Sequence, residues 1–419
     1  MIFIANTLPV NGGTTFLIRA CRELCQRGQK VIVLVMFPII DKKLRAELEL
    51  YASVHDLGDY LWDRGSIFRA QLMTFAPVRW QALLDVLKPF GTSVHVMGVF
   101  GLLFASRLSR RFPEVCLTVG VYHQNEYLFE AQGTYFVRKF RQFFQTVPAS
   151  QFLFFNQANV ENYSRFFGLD FSAGTVAPIG IDIASDLPED LPVQVRGKLV
   201  SVGNLVNFKT YNGHIIRIVA ALAERYPELH YDIYGHGPEE SELMDLAQSL
   251  GIGNRIHFLG SMAYADFSRN VAQGVLFIGS GTAVLEAAAL QIPSMIGIES
   301  IKQPETYGFL SDIKGYAYNE YLPEVPRVAM QGLVERILSD QIFASQVAIA
   351  CREKAKEFSI ESTINSVVKL NKSATVRLPG MGTFTCIRLF FSFVGVAVLD
   401  RLNLSSTFRN RRDQSYRQT

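Results

Sequence analysis

The 419-residue chain is short of cysteine, tryptophan and charge. Its five cysteines (Cys21, Cys25, Cys116, Cys351 and Cys386) are too few and too scattered for a disulfide framework. Cys21 and Cys25 stand four apart in an apolar helical pattern and read as core thiols. A reduced, cytoplasmic compartment is expected. There is no Cys-x-x-Cys pair, and the seven histidines show no ligand spacing, so no metal site is expected. Charged residues make up only 19% and hydrophobic ones 49%, which excludes disorder over most of the chain. No internal repeat and no low-complexity tract is evident. Met1 leads straight into Ile2-Phe3-Ile4-Ala5, too short a run for the apolar part of a secretion signal. Long hydrophobic runs are scarce as well. Between Arg388 and Asp400 the apolar stretch is about half of the roughly 20 residues that a spanning helix needs.

The net charge of +3 is unevenly spread. From residue 388 onward, six arginines (Arg388, Arg401, Arg409, Arg411, Arg412, Arg417) face two aspartates (Asp400, Asp413), leaving the rest of the chain near neutral. The body therefore lacks the basic face of a nucleic-acid-binding protein.

What is there is a repeated alternation of short apolar runs and amphipathic stretches. Residues 1–5 and Lys30 to Val35 read as buried strands flanking a helix that carries Phe16, Leu17, Ala20, Cys21 and Leu24 and ends at Gly28. Strand, helix, strand at this spacing is a βαβ unit and implies a parallel sheet. Further strands are expected at 93–97, 116–121 and 152–155. The acidic, proline-bearing stretch Asp186 to Pro192 reads as a linker, after which the rhythm restarts at Lys198. The expectation is an α/β protein of two Rossmann-like doubly wound domains facing a cleft. Residues 1–185 would form the first domain. Residues 186–372 would form the second, its last helix packing back on the first. An apolar and basic tail, 373–419, would follow and could associate with a membrane.

Several strand-to-helix turns carry residues suited to an anionic ligand. Gly12 and Gly13 lie between the first strand and its helix, where small residues let a ligand approach free backbone N–H groups; a tight turn would look the same. Gly203-Asn204 leads to Lys209, which either points at a phosphate or is solvated. Gly235 and Gly237 repeat the pattern. Gly279-Ser280-Gly281-Thr282 opens a helix on which Glu286 sits among alanines, a position suited to holding a ribose hydroxyl. His123 follows a strand end in the first half, as a catalytic or a structural histidine.

With these motifs together, the chain resembles the GT-B fold glycosyltransferases of the large retaining family 4, over about residues 1–370. Gly12-Gly13, Gly203 to Lys209, Gly235-His236-Gly237-Pro238 and Glu286 carry the resemblance. Two positions depart from it: Asn204 stands where arginine is usual, and Ile278 where the first of two paired glutamates would fall. The resemblance implies transfer of a sugar from a nucleotide-diphosphate sugar to a polysaccharide or lipid-linked acceptor in bacterial surface glycan synthesis. Lys209 and His123 would be the catalytic residues. Gly12, Gly13, Asn204, Lys209, Gly235, Gly237, Gly281, Thr282 and Glu286 would bind the donor. No cofactor or metal is implied. The alternatives are a GT-B-fold sugar-nucleotide epimerase and an inactive scaffold protein. Because such acceptors are often lipid-linked, an anionic membrane surface is a further expected partner. It would be met by Tyr135 to Phe144, with its aromatics and cations, and by Leu389, Phe390, Phe391, Phe393 and Val394 of the tail.

Overall fold

The computed structural model describes residues 1–9, 12–63, 68–129, 133–374, 377 and 379–402. The late arginines from Arg409 on lie outside this set. The described chain forms two compact units, Met1–Gly180 with the residues from Ile360 on, and Ile181–Ser359.

The first unit is built on a seven-stranded sheet of β1 (Ile2–Ala5), β2 (Ile32–Val35), β3 (Ser53–Asp56), β4 (Ser93–Met97), β5 (Cys116–Val121), β6 (Phe152–Phe154) and β7 (Thr175–Val176). Its order is β3-β2-β1-β4-β5-β6-β7 and every pairing is parallel. Strands such as β1 and β2 are apolar throughout because helices cover both faces of the sheet. The strand order reverses between β1 and β4, and the crevice at their carboxyl ends is where ligands bind in such sheets.

The second unit holds a five-stranded parallel sheet of β8 (Lys198–Val202), β9 (His230–Tyr234), β10 (Ile256–Phe258), β11 (Leu276–Gly279) and β12 (Ser294–Ile296), in the order β10-β9-β8-β11-β12. Here the reversal falls between β8 and β11. Both sheets follow the doubly wound order, as expected from the βα rhythm.

The unit boundaries differ from those read in the sequence. The first unit ends at Gly180, not 185, and takes up the chain again at Ile360, the start of the helix read as packing back on it. The acidic stretch 186–192 belongs to the second unit, where Leu191 packs on the core and Arg352 donates to the Ser185 carbonyl at 3.1 Å. A terminal helix, Ile360–Ser373, places Ile360, Ile364, Val367 and Leu370 in one cluster with Phe16, Leu17 and Leu24 of the first unit. Gly180 permits this return, since a Cβ there would lie 2.5 Å from the Ile360 Cα.

Three further expectations are corrected. Cys21 is buried, but Cys25 is exposed, because it falls one helical step off the apolar stripe. In the helix Tyr135–Thr146, Phe136, Phe140 and Phe144 are buried, with Phe140 stacked on Tyr127 and Phe144 on Phe167. Those rings fill the core and are not offered to a membrane. The apolar tail segment is longer than its charges suggested. A 19-residue helix, Thr383–Arg401, includes Arg388 and Asp400 and is long and apolar enough to cross a membrane by length and composition. It nonetheless packs Cys386, Leu389 and Phe393 into the first unit's core. Arg388 is accommodated by stacking on Tyr135, 4.3 Å from the ring centre.

Candidate functional site

In the second unit, the turns after β8, β9 and β11 meet at the carboxyl edge of the sheet. Gly203 adopts φ +152°, and a Cβ on it would lie 2.5 Å from the Lys209 Nζ. Glycine there leaves room for the ammonium group to lie over the turn. Gly235 and Gly237 have a different reason to be glycine. A Cβ on Gly235 would sit 2.0 Å from the Gly203 carbonyl oxygen, and one on Gly237 2.0 Å from that of Leu205. The two loops lie backbone to backbone, with Leu205 N–H donating to His236 O at 3.0 Å. These two glycines shape the site through packing rather than by opening space for a ligand.

Gly281 caps the helix Thr282–Ala289 with φ +69°, and the space where its Cβ would be is open. Its N–H is already taken by the Asn319 Oδ1 at 2.8 Å, which corrects the expectation that it offers a free donor. Tyr318 also donates, to the Gly281 carbonyl, at 3.1 Å. Glu286 stands one turn into the helix, half-buried and close enough to Tyr318 to act on it electrostatically. Thr282 is half-buried at the helix start, and Asn204 is exposed on the Gly203 turn.

A carboxylate that sequence reasoning missed completes this group. Glu299 follows β12, and its N–H donates to the Asn319 carbonyl at 2.9 Å. Burial pushes its carboxyl up to about 7; the nearby Lys209 ammonium opposes the shift, Glu320 adds to it, and a Ser280 hydrogen bond opposes it. Nothing local marks Gly297-Ile298-Glu299-Ser300 as a site. Only the strand order brings it beside Lys209. Ile278 is wholly buried within β11 and presents nothing to this edge. Lys209 also borders a cavity of about 960 Å³ that runs between the helices Tyr211–Leu222 and Glu240–Ser249 and carries Arg217 and Lys302. Gly235, Gly281 and Glu286 lie outside its lining. Among the described residues no three His, Cys, Asp or Glu side chains converge as a metal-binding group.

The remaining sequence candidates lie in the first unit. Gly12 and Gly13 are exposed at the start of the helix Gly12–Gln26, at the carboxyl end of β1. His123 is half-buried in the turn after β5. Its Nδ1 accepts from Asn125 N–H at 3.3 Å, and its carbonyl accepts from Glu126 N–H at 3.0 Å. Behind it runs a buried polar column. Tyr122 meets His95 Nε2 at 2.7 Å, and His95 Nδ1 meets Thr118 at 2.8 Å. Burial pushes His95 down to about 3, so it is neutral.

This two-unit architecture matches solved structures over nearly its whole length. Anabaena Alr3699/HepE, solved in complex with UDP and glucose, superposes with a TM-score of 0.61 at 16% identity, covering 89% of this chain and 99% of that one. S. aureus TarM, solved as a mutant with Fondaparinux, alpha-GlcNAc-glycerol and UDP, gives 0.61 at 10% identity, with 89% and 99% covered. The fold is GT-B. Residues 189–297 of this GT-B chain match the family model of the glycosyl transferases group 1. That segment carries all five strands of the second sheet and the turns bearing Lys209, Gly235 and Glu286. An uncharacterized glycosyltransferase of Haemophilus influenzae is 26% identical over 137 residues, which are 30% of this chain and 38% of that relative.

Proposed function

We propose that this GT-B chain is a glycosyltransferase that moves a sugar from a nucleotide-diphosphate sugar to a polysaccharide or lipid-linked acceptor in bacterial surface glycan synthesis. The observation that carries the reading is the Lys209 ammonium resting over the Gly203 turn at the switch point of the second sheet, in the segment that matches the group 1 family. The helix that bears Glu286 starts at the carboxyl end of β11, the strand paired with β8. In the transfer, the bond between the anomeric carbon and the diphosphate oxygen breaks, and its electron pair goes to the diphosphate. Lys209 stabilises that charge. With the positive end of the helix Thr282–Ala289, it takes the part a cation would play, so transfer proceeds without added metal. Glu286 holds the ribose hydroxyls. Gly12, Gly13 and His123 meet the sugar and acceptor, and configuration at the anomeric carbon is retained. UDP is the first nucleotide to test, because the HepE and TarM structures contain it.

A thermal-shift screen of nucleoside diphosphates tests the reading, because only ligands of the folded state raise the melting temperature. At least one should raise it, and Glu286→Ala, which loses the ribose contact, should shrink the rise. Stabilisation by none of them would sink the proposal. Analysing the products made from a stabilising nucleotide sugar without acceptor separates transfer from epimerisation.

A further inference from the structure

The first unit holds a second built pocket, remote in sequence from every residue discussed above except those of the C-terminal helix. It has a volume of about 550 Å³, within the usual range for small-ligand sites. Its walls are aromatic and aliphatic: Phe68, Phe75, Trp80, Met381, Phe390 and Phe391. One wall is the helix Val99–Arg111, which contributes Arg107, Arg110 and Arg111. Arg107 is buried and committed. Its guanidinium donates to the carbonyls of Thr74 and Ala76 and lies 5.4 Å from the Trp80 ring centre. Arg110 and Arg111 are exposed, and among the described residues no carboxylate lines the pocket.

The mouth is apolar beyond what a water-facing surface requires. Phe384 is 72% exposed, Phe391 67% and Ile387 49%, all on the C-terminal helix. Trp62, 73% exposed, is tied to the same edge by its N–H donating to the Pro77 carbonyl at 3.1 Å, and Pro77 lines the pocket. Exposed aromatics beside free arginines, around an apolar hollow, match an amphiphile with a negative head and a hydrocarbon tail.

We propose that this pocket takes an acyl chain of an anionic phospholipid, whose phosphate lies between Arg110 and Arg111, and so docks the first unit on an anionic bilayer. The site is independent of the transfer reaction, and its test reads lipid binding alone.

Full-length Trp62→Phe protein, leaving Trp80 as the single tryptophan, is mixed with vesicles of phosphatidylcholine alone or with an equal part of phosphatidylglycerol. The protein should float only with phosphatidylglycerol. Bromine placed on the phosphatidylglycerol acyl chains should quench Trp80, because the chain lies against it. Arg110→Glu with Arg111→Glu should weaken vesicle binding at least about twentyfold, given about fivefold per basic residue near an anionic surface. Sodium phosphate should displace the protein no better than sodium chloride of equal ionic strength. Failure to float, floating without quenching, or selective displacement by phosphate would each overturn the proposal. The quenching result stands even if the charge-reversed protein does not fold.

Discussion

The two sheets share one winding rule yet present different chemistry at their carboxyl edges. In the second unit the edge is charged. Lys209 and Glu299 face each other beside Ser280, with Glu286 on the neighbouring helix. In the first unit the groups behind the edge are the buried His95 and Thr118 and the half-buried Tyr122, bonded to one another, with Thr118 also donating to Asn371 at 2.9 Å. Gly12, Gly13 and the His123 turn lie at its surface, with the half-buried Glu126 carboxylate accepting from Tyr122 N–H at 2.9 Å. One topology therefore fixes where a ligand goes but not what it is. The Lys209 edge suits a diphosphate, and the His123 edge suits hydroxyl-bearing groups.

The sharpest way to break this contrast is to remove the cation. Lys209→Ala should lower turnover by about 10²–10³, the usual loss for one transition-state donor, with the melting temperature little changed. Steady-state kinetics with a stabilising nucleotide sugar decides it. If turnover persists, the charged edge is not where the diphosphate leaves.

Next in size is the packing beneath that edge. Gly235→Ala forces a methyl group to within 2.0 Å of the Gly203 carbonyl oxygen at a φ of +142°. A loss of about 1–3 kcal/mol is expected from overpacking alone, read by denaturant unfolding, together with weaker nucleotide binding. Unchanged stability would show that the loops can part without cost.

The third test uses pH. The Glu299 carboxyl holds its proton up to about pH 7 in the folded chain, against an ordinary value of 4.5. Between those values the folded state binds more protons than the unfolded one, so this group lowers stability as pH rises through that window. Glu299→Gln should flatten that part of the stability profile. Protonating Glu299 also leaves Lys209 less neutralised. Nucleoside diphosphate affinity should therefore rise as pH falls through about 7 in the wild type and lose this dependence in Glu299→Gln. Calorimetric titration across the window checks both statements.

The smallest effect belongs to the His123 edge. His123→Ala should lower turnover about 2–10-fold, the worth of one neutral hydrogen bond, without moving the unfolding midpoint. A large drop in stability with normal kinetics would instead make His123 a structural residue of its turn.

Much of the architecture was legible because the signals are local. Apolar runs with no polar alternation can only be strands covered on both faces, and their alternation with helices dictates parallel sheets. Lys209, Glu286 and the glycine turns were found because each sits at a strand-to-helix junction, a place that periodicity marks. The reason Gly235 and Gly237 must be glycine was not legible, since it lies in the backbone of another loop. Nor was Glu299, whose own segment carries no motif.

By itself, then, the sequence determined the two doubly wound units and most of the charged edge, through periods and junctions that neighbouring residues impose on each other. The tertiary structure alone decided three things. It took Phe136, Phe140 and Phe144 into the core. It also carried the apolar helix through Arg388 to Arg401 and set Glu299 beside Lys209. Each depends on residues far apart in the chain competing to bury the same surface or meeting at the same charge, and no local pattern records the outcome of that competition.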